Sequence, residues 1–288
     1  MSNKSAGVLY VVATPIGNRE DLSPRARRIL EEVKLIAVED TRHSGQLLSA
    51  AGVRTPMLSV HDHNEAQRVP ALIERLALGD SVALISDAGT PLVSDPGYHL
   101  VSACHDAGIR VAPVPGPSAL MAALSVAGLA TDSFSFFGFL PRQVVRRKKL
   151  LESLARQPGT LIFFETPHRL RESLDDMVGA FGADRLGVVA RELTKLHETV
   201  LRAPLGELAG ESGEGFGGPG GAVKGEIVVL VDGYARAESA RVSAEGLRVL
   251  GILRRVLPLK TAAALAAEIS GDRKNLLYRH GLELEPED

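Results

Sequence analysis

The chain of 288 residues has one cysteine, Cys104, and no tryptophan. A lone cysteine excludes a disulfide framework and suits a reducing cytoplasm. No apolar stretch reaches the ~18 residues needed to span a bilayer. The N-terminal run Gly7 to Thr14 stops at Pro15, too soon for a signal peptide. An excess of one charge sign is missing as well: 33 Lys and Arg face 35 Asp and Glu, for a net charge of -2. Nothing therefore draws the whole surface to nucleic acid or membrane, and any basic binding face must be local. The expectation is a soluble, cytoplasmic protein with no membrane partner. Its length suits one large or two medium domains, with ample core.

Two tempting motifs also lack what they need. His61-x-His63, with Asp62 and Glu65, has no second ligand group at a diagnostic spacing, so no metal is expected. It reads as a loop with Asn64 as helix cap, although the cluster could touch substrate. The glycine-dense stretch from Gly213 to Gly221 has no Gly-Lys-Ser/Thr ending and no strand feeding it, so it reads as a linker rather than a phosphate loop.

Turn chemistry after apolar runs is what the chain does have. Val82 to Ile85 reads as a buried parallel strand, followed by Ser86-Asp87-Ala88-Gly89-Thr90-Pro91 and Ser94-Asp95-Pro96-Gly97 before helical pattern resumes at Tyr98. Two Gly-Pro clusters exceed the needs of a plain connection, which usually takes two to six residues. Gly89 lets a ligand approach the main chain, and Asp87 places a carboxylate at the strand tip. Similar tips follow Val8 to Ala13, Leu35 to Val38, Met57 to Val60 and Ile109 to Pro113. Strands alternating with helices predict a parallel, doubly wound α/β sheet, and parallel strands bring all their carboxyl tips to one edge. That edge is the expected active site.

A second half opens with the aromatic strand Phe134 to Leu140, whose phenylalanines read as core. It continues through strands at Leu161 to Phe164, Leu186 to Ala190 and Ile227 to Val231. From about Ala240 only helices are expected, two of them short and broken by Pro258 and Gly271, like a helix-turn-helix. Expected divisions are 1–117, 118–236 and 237–288.

Two local basic patches interrupt the balanced charge. Arg142, Arg146, Arg147, Lys148 and Lys149 have no acidic residue between Ser133 and Leu151. From Glu245 to His280, including Arg254, Arg255, Arg273 and Lys274, there are seven Lys/Arg against three Asp/Glu. Cations without counterions favour an anionic visitor such as RNA over a solvated face. Arg191 to Lys195 and Lys224 to Glu226 read either as surface ion pairs or as a lysine stabilising developing negative charge.

Taken together, ATPIGN (13–18), EDTR (39–42), HNE (63–65), SDAGTPLVSDPG (86–97), PGPSA (115–119), FFGFLPR (136–142), RELTK (191–195) and KGE (224–226) resemble the tetrapyrrole-methylase-like superfamily. Within it they resemble the bacterial methyltransferases of small-subunit ribosomal RNA ribose. The glycine tract at 211–222 departs from the more polar linker expected there. The resemblance implies two α/β domains, the first sheet mostly parallel and the second mixed, with a helical C-terminal segment. It also implies a homodimer with S-adenosyl-L-methionine held between the α/β domains. The methyl acceptor would be a cytidine ribose in the decoding region of small-subunit rRNA. Carried over by position, the cofactor pocket would involve Pro15, Asp87, Ala88, Gly89, Val93, Ser118, Ala119, Phe164 and Leu193.

For the chemistry, Asp40 is the expected proton acceptor, with Glu39 in reserve. Lys195 would favour the alkoxide and Arg42 would hold a neighbouring phosphate. RNA contacts are expected at Arg146, Arg147, Lys148, Lys149, Arg254, Arg255, Arg273 and Lys274. A small-molecule methyltransferase of this fold would have no use for the basic patches. A non-catalytic RNA-binding protein would leave the strand tips without a purpose.

Overall fold

The computed structural model describes residues 6–211, 224–234 and 242–283. It divides into two units, 1–234 and 235–288. The glycine-rich stretch 213–221 lies outside the described residues.

In the first unit, β1 (Val8–Val12), β2 (Leu35–Val38), β3 (Met57–Ser59), β4 (Val82–Ile85) and β5 (Arg110–Val114) form a wholly parallel sheet in the order β3-β2-β4-β1-β5. All four residues of β2 and of β4 are buried, which is why they read as unbroken apolar runs rather than alternating ones. Their side chains nevertheless alternate between two cores. Ile36, Val38, Ala83 and Ile85 pack with Ala26, Ile29 and Leu30 of α1 (Pro24–Glu32) and Leu48 of α2 (Thr41–Ala50). Leu35, Ala37, Val82 and Leu84 pack with Leu72 and Leu76 of α3 (Glu65–Ala77) and Leu100 and Cys104 of α4 (Tyr98–Asp106). Cys104 is fully buried, and burial pushes its thiol up to about 11, far from a reactive thiolate.

Some helix starts follow their local chemistry, with side-chain caps at Ser23, Asp40 and Ser243. Ser23 accepts a hydrogen bond from the Ala26 amide, with Pro24 in the first turn. Asn64 departs from expectation: its Oδ1 accepts from the His61 amide at 2.9 Å, and it gives α3 no side-chain cap. Its amide group also donates to the Ser59 carbonyl, so it folds the β3–α3 turn instead. Glu65, read with the histidines, is buried and accepts from the Leu100 amide at 3.0 Å, tying α3 to α4.

The second sheet is mixed: β6 (Phe134–Phe139), β7 (Thr160–Glu165), β8 (Leu186–Arg191), β9 (Thr199–Pro204) and β10 (Ile227–Val231), in the order β6-β7-β10-β8-β9. Only β6 and β7 are parallel; the other pairings are antiparallel. One face packs under α6 (Val144–Leu154), α7 (Leu170–Phe181) and α8 (Leu205–Glu211) through Leu151, Leu174, Met177 and Leu208. The other face meets α5 (Ala119–Val126), with Leu120, Ala123 and Leu124 against Ile162, Val188 and Leu230. The β6 phenylalanines are not uniformly core. Phe136 and Phe137 are partly buried, but Phe134 and Phe139 are 40% and 52% exposed. The reason is position: β6 is an edge strand, and its register shifts between Phe136 and Phe139 around Gly138, whose φ is 63°.

Both sheets belong to the first unit because the β1 loop reaches the second sheet directly. Ile16 joins the α5 core, and the Asn18 amide donates to Thr194 Oγ1 at 3.1 Å. The second unit holds three helices, α9 (Ala244–Arg254), α10 (Leu259–Ser270) and α11 (Lys274–Glu283). They close on a small core of Leu250, Ala262, Ala263, Ala266 and Leu277. Gly271 ends α10 in the left-handed conformation.

Candidate active site

Three strand tips of the first sheet are tied together by main-chain hydrogen bonds. Thr14 and Gly89 exchange amide-to-carbonyl bonds of 2.8 and 3.1 Å. Thr14 Oγ1 donates to the Ser86 carbonyl at 3.2 Å, and Thr90 Oγ1 donates to the Pro117 carbonyl at 3.0 Å. Gly89 has φ 82°, a left-handed conformation that a side chain would strain. Leu92 and Ser94 adopt φ 71° and 68° without being glycine. Such conformations persist only where the surroundings enforce them, and they cluster at ligand sites.

These tips form one wall of a cavity of about 340 Å³, and the second sheet forms the other. That volume falls in the roughly 300–1,000 Å³ of small-molecule pockets. The first wall brings Glu39, Asp87 and Asp95 to the cavity. Asp87 Oδ1 accepts from the Asp40 amide and from Ser44 Oγ, both at 3.3 Å, so the β4 tip is anchored to the start of α2. Burial raises the Glu39 carboxyl, and the charges of Asp87, Asp95 and Asp62 raise it further. Burial also pushes Asp95 up to about 6; a hydrogen bond from Ser86 opposes this, and the charges of Asp87 and Asp62 reinforce it.

The second wall is apolar with polar ends. Ala190, Leu193, Val228 and Phe164 line it, together with Ile16 from the β1 loop. The Phe164 ring is braced edge-on by Phe136 at 4.8 Å and Phe139 at 5.6 Å. Glu165 also reaches the cavity, but its carboxylate is committed to the Thr166 amide, to Ser173 Oγ and to an ion pair with Arg169.

Of the residues carried over for the cofactor, Asp87, Ala88, Gly89, Val93, Ser118, Ala119, Phe164 and Leu193 line this cavity. Pro15 does not; it is buried behind the tip, and its neighbour Ile16 takes the wall position.

Of the residues expected in chemistry, only Glu39 reaches the cavity. Asp40 instead caps α2, its carboxylate accepting from the Arg42 amide at 2.8 Å and pairing with the Arg42 guanidinium at 3.0 Å. The side-chain hydrogen bond from Arg42 is the main reason its carboxyl falls to about 2. The β2 tip thus contributes Glu39, one residue earlier than expected, because the chain turns into α2 at Asp40. Lys195 is neutralised by Glu192 at 2.8 Å and Glu226 at 3.3 Å. Burial pulls its ammonium down, but those two carboxylates outweigh it and leave the pKa raised.

Asp95 is the residue the sequence reading passed over. Within Ser94-Asp95-Pro96-Gly97 it looked like turn chemistry, and only its burial beside Glu39 distinguishes it.

The first basic patch is partly neutralised. Arg147 is not a free cation but 2% exposed, bound to Asp176 at 2.6 Å and Glu172 at 3.5 Å. Lys148 shares Asp176 at 3.5 Å. The counterions were invisible in the local sequence because they come from α7, which packs on α6. Arg146 and Lys149 are exposed. In the second unit Arg255, Arg273 and Lys274 are exposed, while Arg254 is half-buried and donates to the Gly281 carbonyl at 2.8 Å.

Residues 8–209 match the family of tetrapyrrole (corrin/porphyrin) methylases, and residues 240–285 match the RsmI C-terminal HTH domain. The ribosomal RNA small subunit methyltransferase I of Pseudomonas aeruginosa PAO1 is 54% identical over 97% of this chain and 98% of its own. The protein of that name from Escherichia coli O157:H7 is 49% identical over 98% and 97%. The chain belongs to this methyltransferase family. Among solved structures, the methyltransferase CobJ is 21% identical with a TM-score of 0.59, covering 83% of this chain and 98% of that one. Diphthine synthase is 16% identical with a TM-score of 0.57, covering 78% and 89%. At those identities they support the fold alone.

A methyltransferase of this family takes S-adenosyl-L-methionine as its cofactor. The cavity suits that molecule: an apolar wall with an aromatic ring for the adenine, and carboxylates facing a net cation. Among the described residues, no helix is long and apolar enough to cross a membrane, and no His/Cys/Asp/Glu group could hold a metal.

Proposed function

We propose that the protein methylates the 2′-oxygen of a cytidine ribose in the decoding region of small-subunit ribosomal RNA. It acts in the cytoplasm, as a homodimer, on an assembled or nearly assembled subunit. The observation that carries this reading is the two-walled cavity, with raised carboxyls on one side and a braced phenylalanine on the other. Near-full-length likeness to proteins named for that substrate class supports it. The match to an HTH domain at 240–285 favours a nucleic-acid substrate over a tetrapyrrole.

S-adenosyl-L-methionine supplies the methyl group as an electrophilic sulfonium. Asp87, Ala88, Gly89, Val93, Ser118, Ala119, Phe164 and Leu193 hold it, with Ile16 in place of Pro15. Direct displacement depends on alignment, and good positioning is worth roughly 7–11 kcal/mol. The tied loops β1, β4 and β5 supply rigidity for that alignment.

The ribose hydroxyl needs a proton acceptor at neutral pH. Asp40, near 2 and engaged by Arg42, is a weak base outside the cavity. Glu39 and Asp95 are stronger bases, and both face the reacting space. Asp95 is assigned the proton; burial and the charges of Asp87 and Asp62 raise its basicity, and Glu39 lines the same space. Lys195, already paired with two glutamates, braces the β8–β9 turn rather than an alkoxide. Arg42, with its side chain 90% exposed at the start of α2, contacts a neighbouring phosphate. Arg146, Lys149, Arg255, Arg273 and Lys274 provide the wider RNA-binding charge.

Mass spectrometry of small-subunit rRNA from cells lacking the protein tests the reading. One ribose methylation should disappear and return on complementation. Unchanged rRNA would overturn it.

A further inference from the structure

A second cavity, of about 620 Å³, adjoins the first and shares Phe139 and Thr166 with it. Its lining is richer in cations, although Arg147 and Arg169 are paired with carboxylates and Arg142 alone of its arginines has no ion pair among the described residues. The cofactor cavity presents Glu39, Asp87, Asp95 and Glu226, whereas the second is lined by Arg142, Arg147, His168 and Arg169, with Glu172 as its one carboxylate. Glu172 is drawn to Arg147 at 3.5 Å. Arg169 is held in place, its guanidinium donating to the Leu140 and Pro141 carbonyls at 2.9 and 3.1 Å. Arg142 differs: it is exposed and has no ion pair among the described residues. His168 is exposed beside Thr166 Oγ1 at 3.4 Å. Above the shared rim, the Phe139 ring is 52% exposed, turned outward by the Gly138 irregularity.

These facts bear on how a polyanion could reach an acidic cavity. A ribose hydroxyl must enter among carboxylates, yet its flanking phosphates would be repelled there. The phosphates therefore need a cationic seat immediately outside, and one lies across Phe139. Exposed aromatic rings beside such a seat are what single-stranded nucleic acids stack on.

We propose that this second cavity seats the phosphodiester next to the methylated ribose, with Arg142 and His168 on its oxygens and Phe139 stacked on a base. The inference rests on the reading of the substrate as RNA and adds where that RNA enters. It adds a groove beside the cofactor to the exposed Arg146 and Lys149 of α6, and leaves the neutralised Arg147 out of the contact.

Methyl transfer from labelled S-adenosyl-L-methionine to purified small ribosomal subunits tests it, alongside calorimetry of the cofactor. Arg142→Ala should raise KM for the subunit about tenfold and leave kcat and cofactor affinity near wild type. It should also flatten the log-log salt dependence by about one phosphate contact. Arg142→Lys should recover part of the KM, since a point charge still meets phosphate. Phe139→Leu should weaken subunit binding about fivefold or more, and Phe139→Tyr should not. Arg28→Ala, exposed on α1, is the control. Wild-type KM and salt slope in Arg142→Ala would overturn the groove assignment while the RNA reading stands. If the wild-type protein itself transfers no methyl group to rRNA, the underlying reading fails instead.

Discussion

The two sheets contribute to the site in different ways. The parallel sheet offers only its carboxyl edge, because both faces are covered by helices and β2 and β4 are buried throughout. Its contribution is therefore loops: tied backbone, a left-handed glycine and carboxylates at strand ends. The mixed sheet offers apolar and aromatic side chains from β7, β8 and β10. Edge residues are free to be acidic and strained because no core depends on them, while the second sheet's wall residues are part of the core itself. Chemistry accordingly concentrates on the first sheet, and shape and water exclusion on the second.

The largest effect that would sharpen this contrast is expected at the edge. Asp95→Asn should lower methyl transfer about 100- to 10,000-fold with cofactor binding retained. In the wild type, activity should rise with pH through about 6 and then level off, and Asp95→Asn should remove that limb. Stability should move oppositely. The folded carboxyl holds its proton between the ordinary carboxylate range and about 6, where the unfolded one has lost it, so stability falls as pH rises through that window. Thermal melts of Asp95→Asn should lack this fall. Retained activity would return the proton acceptor to Glu39.

Next in size, Arg147→Met should destabilise the second sheet's helical layer by about 3 kcal/mol, by leaving Asp176 buried with only Lys148. Denaturant melts would show it, and RNA affinity should stay within about twofold. An RNA defect without a stability loss would restore Arg147 to the binding surface.

Gly89→Val should cost about 1–3 kcal/mol in backbone strain at φ 82°. An added Cβ would also lie 3.3 Å from Ile16 Cγ2, so calorimetry should show weakened cofactor binding.

The smallest effect is expected at Asp40→Asn, which keeps a capping side chain and should leave the transfer rate within about threefold. Asp40 sits below its ordinary range, so its stabilising contribution is present above that range and fades as pH falls towards about 2. Acid melts of the two proteins should differ only through the loss of that contribution. A collapse of activity at neutral pH would instead make Asp40 the base.

Much of this was legible along the chain. Apolar runs followed by Gly, Pro and Asp marked β1, β2, β4 and β5, and the parallel topology then placed their tips together. Asp87, Gly89 and Ser118 lie on those tips, whereas Phe164, on β7 of the second sheet, was expected only from the family resemblance. The β9 strand, TVLRAP, was missed because it alternates weakly and ends in Pro204. The β6 phenylalanines were misjudged because a strand's composition does not reveal that it lies at an edge.

By itself the sequence determined the alternation of strands and helices, the parallel edge and the family to which the chain belongs. The first two depend on hydrophobic periodicity and turn residues, which act over a few positions; the family rests on the resemblance of eight short motifs in order. Only the tertiary structure decided which charges are usable: Asp40 and Arg147 are neutralised, while Asp95 and Arg142 stand apart. A charge's state depends on burial and on partners brought from distant elements, as α7 brings Asp176 to Arg147, and that arrangement exists only once the sheets are packed.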